Sequence, residues 1–117
     1  MLSIPANVSV YLCTKPTDMR KGFDGLHALV LQVFQRDLLD GHLFLFVNRR
    51  RDRLKVLWWD RDGIAFFYKR LEAGTYQLPT TPDDSEGVEI DATDLAMMLN
   101  GIDVRSAKRR KRYSRVA

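Results

Sequence analysis

A chain of 117 residues, 45% of them apolar and 29% charged, has the length and composition of one folded domain and excludes wholesale disorder. Its single cysteine, Cys13, excludes an internal disulfide, and with only His27 and His42 beside it the ligands of a structural zinc site are missing. The net charge of +4 is distributed in blocks: residues 1–82 hold 12 basic and 8 acidic side chains, residues 83–104 hold 7 acids and no Lys or Arg, and residues 105–117 hold 7 basic residues and no acid.

Blocks of one sign mark interaction surfaces or tails. We therefore divide the chain into one domain over 1–104 and a basic tail over 105–117, the tail expected to be disordered when unbound. The opening MLSIPANVSV lacks a charged start and a long apolar stretch, and no apolar run approaches ~18 residues. A cytoplasmic location without a membrane partner is the expectation.

In chain order, Val8 to Leu12 alternates and predicts a first strand, ended by Pro16 and Thr17. From about Met19 to Arg36, Phe23, Leu26, Leu29, Val30, Val33 and Phe34 recur at helical spacing, although Gly22 and Gly25 each cost a helix roughly 1 kcal/mol relative to Ala and argue for a later start. Three strand-like runs follow, His42–Val47, Leu54–Trp59 and Ile64–Lys69, joined by short polar links that make antiparallel hairpins. Asp62-Gly63 suits the positive φ angles of a tight turn, and Ala73-Gly74 offers another before a short run at Thr75–Leu78.

Period-two alternation puts Lys55, Leu57 and Trp59 on one face with Ile64, Phe66, Tyr68 and Arg70, and Leu54, Val56, Trp58, Ala65, Phe67 and Lys69 on the other. Both faces are apolar in the middle, so the second one calls for the other helix, a partner or stacked bases. Pro79 to Gly87 reads as a loop. After it, Asp91 caps a helix, Ile90 and Leu95 form a hydrophobic staple, Leu95, Met98, Leu99 and Ile102 make its buried stripe, and Gly101 ends it. The fold class is α+β: an antiparallel meander of four to five strands packed with two helices.

Enzyme motifs are missing. There is no GxxxxGK[ST], GxGxxG or HExxH, and Cys13 and His27 share no catalytic spacing; both are read as core residues. Asp18, Asp24, Asp52, Asp60 and Asp62 could supply a two-metal nuclease, but Asp60 and Asp62 sit where turns want Asp, Asp52 lies among arginines as their counter-charge, and Asp18 is near a helix start. Neither a catalytic residue nor a metal or cofactor is expected.

The positive signal is NRRRDRLKVLWWD from Asn48 to Asp60. Arg49, Arg50, Arg51 and Arg53 crowd one turn, and guanidinium groups pair bidentately with phosphate or stack on bases. Lys55, Lys69 and Arg70 extend the patch, and Trp58, Trp59 or Tyr68 offers a ring for unpaired bases. Lys108, Arg109, Arg110, Lys111 and Arg112 in the tail would add phosphate contacts. The competing reading leaves the arginines solvated or paired with the 83–103 acids, and the tryptophans in the core.

Three segments, TDMRKGFDGL (Thr17 to Leu26), GHLFLFVNRRRDRLKVLWWD (Gly41 to Asp60) and DGIAFFYKRLEAGTYQLP (Asp62 to Pro79), carry a resemblance to the TnpB family, the second-reading-frame accessory proteins of the insertion-sequence-66 class of bacterial transposons. It covers about residues 4–104. The family's recurring residues fall here on Asp18, Met19, Arg20, Lys21, Asn48, Arg49, Arg50, Arg51, Asp52, Arg53, Lys55, Trp59, Asp60, Asp62, Gly63, Tyr68, Lys69 and Arg70. Leu38 and Leu39 depart from it, where a proline is expected, as does Ala73, where a basic residue is common.

The resemblance implies a protein encoded beside a separate DDE-type transposase and needed for efficient transposition. With the residues, it leads to an expected non-catalytic accessory protein that binds DNA, as transposon ends or non-specific duplex, or the transposase–DNA complex. Asn48–Arg53 would grip, helped by Arg20, Lys21, Lys69, Arg70 and the tail. The alternative is an adaptor that docks the transposase, or the element's other accessory protein, without touching DNA; self-association is compatible with either.

Overall fold

The computed structural model describes residues 7–79 and 85–100. The tail, with Lys108, Arg109, Arg110, Lys111 and Arg112, lies outside the described residues, as do Gly101 and Ile102. The elements are β1 (Val10–Cys13), α1 (Phe23–Phe34), a 3-10 turn at Leu38–Asp40, β2 (Leu43–Val47), β3 (Arg53–Asp60), β4 (Gly63–Arg70), β5 (Gly87–Ile90) and α2 (Ala92–Asn100). They make an open five-stranded sheet in the order β4-β3-β2-β1-β5. The α+β reading holds.

β2, β3 and β4 form the expected antiparallel meander, with Leu45 opposite Val56, Lys55 opposite Tyr68 and Trp59 opposite Ile64. The two faces of the β3–β4 hairpin are therefore those read from alternation. One pairing departs from an all-antiparallel sheet: β1 runs parallel to β2, with Val10 opposite Leu43. Parallel neighbours need a long crossover, and the stretch carrying α1 supplies it.

Every residue of β2 is buried, which is what a central strand covered on both faces requires of LFLFV. On one face Tyr11, Phe44, Phe46 and Leu57 pack under Leu26 and Val30 of α1 and under Leu38. On the other, Leu12, Leu45, Val47 and Val56 pack under Leu95, Met98 and Leu99 of α2 and under Tyr76. The second apolar face is thus covered by the second helix. Leu38 fills the first layer where a proline was expected, while neighbouring Leu39 is exposed.

Several local readings need correction. α1 runs only over Phe23–Phe34, shorter than Met19–Arg36, its start as late as Gly22 and Gly25 argue, because residues 18–21 close a turn in which the Lys21 N–H donates to the Asp18 carbonyl. In the β3–β4 turn the positive φ falls on Arg61, and Gly63 opens β4. Thr75–Leu78 is no strand: Tyr76 is fully buried and its N–H donates to the Arg51 carbonyl at 2.6 Å, with no strand ladder assigned to the segment. The reverse error occurs at Gly87–Ile90, read as loop up to Gly87 yet paired antiparallel with β1. His27, read as core, is exposed.

The α2 signals stand. The Asp94 N–H donates to the Asp91 carboxylate at 2.7 Å, and Ile90 and Leu95 share one cluster. Gly87 is sterically enforced, since a Cβ there would lie 2.6 Å from the Phe34 ring and 3.1 Å from Val33, whereas one at Gly63 meets nothing within 4 Å. Gly87→Ala should lower unfolding free energy by about 1–3 kcal/mol in urea titrations, and Gly63→Ala should leave it within about 0.5 kcal/mol; equal effects would show that β5 is free to move off α1.

Candidate nucleic-acid interface

The parallel β1–β2 pair brings the end of β1, the end of β2 and the start of β3 to one end of the sheet, where β4 also finishes. The Asn48–Arg53 connection crosses this end. Its shape depends on Asn48 more than on any arginine: the Asn48 side-chain carbonyl accepts from the Asp52 and Arg53 N–H groups, both at 3.0 Å, and its amide donates to the Asp52 carboxylate at 2.7 Å. The main chain closes the loop, Asn48 N–H to the Arg53 carbonyl and Arg51 N–H to the Asn48 carbonyl, with Arg51 in the left-handed region at φ 60°. Two outside bonds tether it, from the Leu71 N–H to the Asp52 carbonyl and from Tyr76 to Arg51.

Asn48, read as part of the grip, is thus the loop's organiser. Asp52, read as the arginines' counter-charge, accepts from Asn48 instead. Arg49, Arg50 and Arg51 are exposed and Arg53 half-buried, and among the described residues none of the four makes a side-chain hydrogen bond or ion pair. Clefts open on both sides of Arg49. One, of about 320 Å³, is walled by Thr17, Asp18 and Met19 against Arg50 and Arg53; the other, of about 180 Å³, lies between Lys15, Pro16 and Leu78 with Arg51 at its edge. Lys15 was missed from sequence, because only the parallel topology carries it here.

Lys55 has a different role from its neighbours. It is 4% exposed, and its ammonium donates to the Met19 and Lys21 carbonyls at 2.8 and 2.9 Å while lying 4.8 and 4.6 Å from the Phe66 and Tyr68 ring centres. A buried cation without a carboxylate is tolerable when carbonyl dipoles and ring faces replace water. Lys55 therefore does not face solvent. It fastens segment 18–21 to the sheet, and the Thr17 N–H, bonded to the Val47 carbonyl, fastens the residue before it.

Arg20 and Lys21 are exposed beside the first cleft's Thr17–Met19 wall, Lys69 and Arg70 at the end of β4. Arg20 and Arg70 carry their own acids: Arg20 to Asp18 at 2.7 Å and Arg70 to Glu72 at 2.8 Å. Such exposed pairs are weak and exchange partners readily. The Arg20 guanidinium, through its hydrogen bonds, pulls the Asp18 carboxyl down to about 2.

The carboxylates weighed for a nuclease are scattered: Asp60 and Asp62 lie at the far end of the β3–β4 hairpin from Asp18 and Asp52. Among the described residues no three of His, Cys, Asp and Glu gather into a metal set. Cys13 is buried, and burial pushes its thiol up, away from a nucleophilic thiolate.

Asn48→Ala should destabilise the fold by about 1–3 kcal/mol, because it strips two N–H groups of their acceptor; an unchanged urea midpoint would show that the loop holds its shape without Asn48. Because the folded Asp18 value is depressed, its ion pair is complete above the ordinary value of 3.8 and is lost as pH falls through about 2. Carbon-detected NMR titration should give a midpoint near 2 for Asp18 and a higher one in Arg20→Gln, still below the ordinary value because the residue-20 N–H keeps its bond to the carboxylate; coincident midpoints would exclude the pairing.

No helix among the described residues is long and apolar enough to cross a membrane, and no solved structure matches the chain. Two curated relatives from Sinorhizobium fredii (strain NBRC 101917 / NGR234), uncharacterized proteins y4hO and y4jC, are 37% identical over 116 residues (99% of each chain) and 30% identical over 119 residues (100% of each). The family model described as "IS66 Orf2 like protein" matches residues 8–109, a span that holds the arginine loop, the segment Lys55 fastens and every described strand. The chain belongs to the IS66 Orf2-like family, and its role is that of a transposition accessory.

Proposed function

We propose that the chain is a non-catalytic accessory that grips the phosphate backbone of DNA through the Asn48–Arg53 loop during transposition. The observation that carries this reading is the set of four arginines, none of them ion-paired among the described residues and outnumbering the loop's one acid, Asp52, on a loop whose backbone Asn48 fixes independently of them. Like charges so close repel one another, and a surface serving only solubility would intersperse acids. A polyanion relieves the repulsion.

Arg49 between two clefts suits a backbone lying across the loop, with Arg50 and Arg53 on one side and Lys15 and Arg51 on the other. Arg20, Lys21, Lys69 and Arg70 sit at the margins and, with the tail's Lys108, Arg109, Arg110, Lys111 and Arg112, add charge. Lys55 acts by holding segment 18–21 against the loop. The natural ligand is the element's own DNA or its complex with the DDE-type transposase.

A second reading, docking of the transposase without DNA, draws on the opposite edge of the sheet, where Glu86, Glu89 and Asp91 are exposed along β5. Phosphate binding predicts that log affinity for duplex falls linearly with log salt, and that changing Arg49, Arg50 and Arg51 together to Ala reduces the slope by about 0.9 per lost contact. Gel shifts across a salt series read this directly. Binding undetectable at low salt, with co-purification of the transposase surviving nuclease treatment, would replace the first reading by the second.

A further inference from the structure

We infer that the arginine loop's grip extends to an unpaired base stacked on Tyr68, so that the preferred ligand is DNA in which a single strand leaves a duplex. The inference rests on the phosphate-binding reading above and adds the class of DNA. Of the three aromatic residues that the sequence offers for stacking, Trp58 and Trp59 lie toward the far end of the hairpin and are already engaged. Trp58 packs against the α2-side core, and the Trp59 ring N–H donates to the Arg61 carbonyl at 3.0 Å. Tyr68 is 44% exposed, and its hydroxyl has no partner among the described residues.

The ring is nevertheless held. The Lys55 ammonium lies 4.6 Å from its centre, so one side meets a fixed cation while the residue stays open to solvent. A ring that keeps one orientation loses little freedom when a base stacks on it. Cations flank it: Arg70 follows two residues later on the same face, with Arg53 opposite Arg70 in the neighbouring strand. Two residues along a strand span roughly 7 Å, a distance one nucleotide bridges between its phosphate and its base.

The aromatic surface continues on the same side, where Phe23, 49% exposed, lies 4.7 Å from Phe66 and two residues after Lys21. Basic residues thus bracket exposed rings, the pattern of a single-strand path. A paired base is enclosed by its own stack and cannot use these rings.

Fluorescence anisotropy on a short blunt duplex, and on the same duplex with a single-stranded tail of about six nucleotides, tests this. Wild-type protein should bind the tailed DNA at least about fivefold tighter. Tyr68→Ala should lose that preference without weakening blunt-duplex binding, because it uncovers the Lys55 ammonium. Tyr68→Phe should keep the preference, and its retained ring makes the pair informative if the alanine variant melts early. Equal affinity for the two DNAs, or a preference that survives in Tyr68→Ala, overturns the inference while leaving phosphate binding intact; no binding to either DNA removes the phosphate-binding reading instead.

Discussion

One wall of the basic end depends on a single buried ammonium. Lys55 occupies a central strand in a row running from Phe46 through Lys55 to Tyr68, on the face that α1 covers. An aliphatic side chain there would extend the core; a lysine needs acceptors, and the carbonyls of Met19 and Lys21 provide them. Segment 18–21 is consequently held over the sheet and becomes one wall of the larger cleft. Two stretches 34 to 36 residues apart in sequence are joined by satisfying a single charge.

Much of this architecture was legible from residues alone. Alternation along β3 and β4 gave the faces correctly because the register follows from the turn length, and the Asp91 cap and Ile90–Leu95 staple placed α2. Other features were not. The parallel β1–β2 pair leaves no local mark, since strand direction is decided by where a crossover returns, and Lys15 was hidden with it. β5 was concealed by composition: Val88 and Ile90 alternate around Glu89, but the acidic stretch around them reads as loop. Lys55 looked like one more member of a basic cluster because nothing in a sequence distinguishes a cation facing water from one facing carbonyls.

The arginines were legible as a cluster, but the division of labour among their neighbours was not. Asn48 and Asp52 belong to the loop's scaffold, and Glu72 and Asp18 neutralise the marginal arginines without reaching the central ones. Positive charge is thereby graded, shielded at the rim and bare at the loop. Such grading favours orientation on a charged ligand over uniform attraction, since the field is steepest where the loop protrudes.

Arg51 stands apart from its companions. Its left-handed φ of 60° is a conformation that Gly adopts freely and that costs other residues roughly 1–2 kcal/mol. Its carbonyl nonetheless accepts the N–H of Tyr76, so the strained backbone is also a tether between two parts of the chain. Folding alone would prefer glycine here, and charge alone would prefer arginine in a relaxed position. The residue present is a compromise, trading conformational ease for a cation at the second cleft. At this one site greater stability and greater basicity are opposing demands.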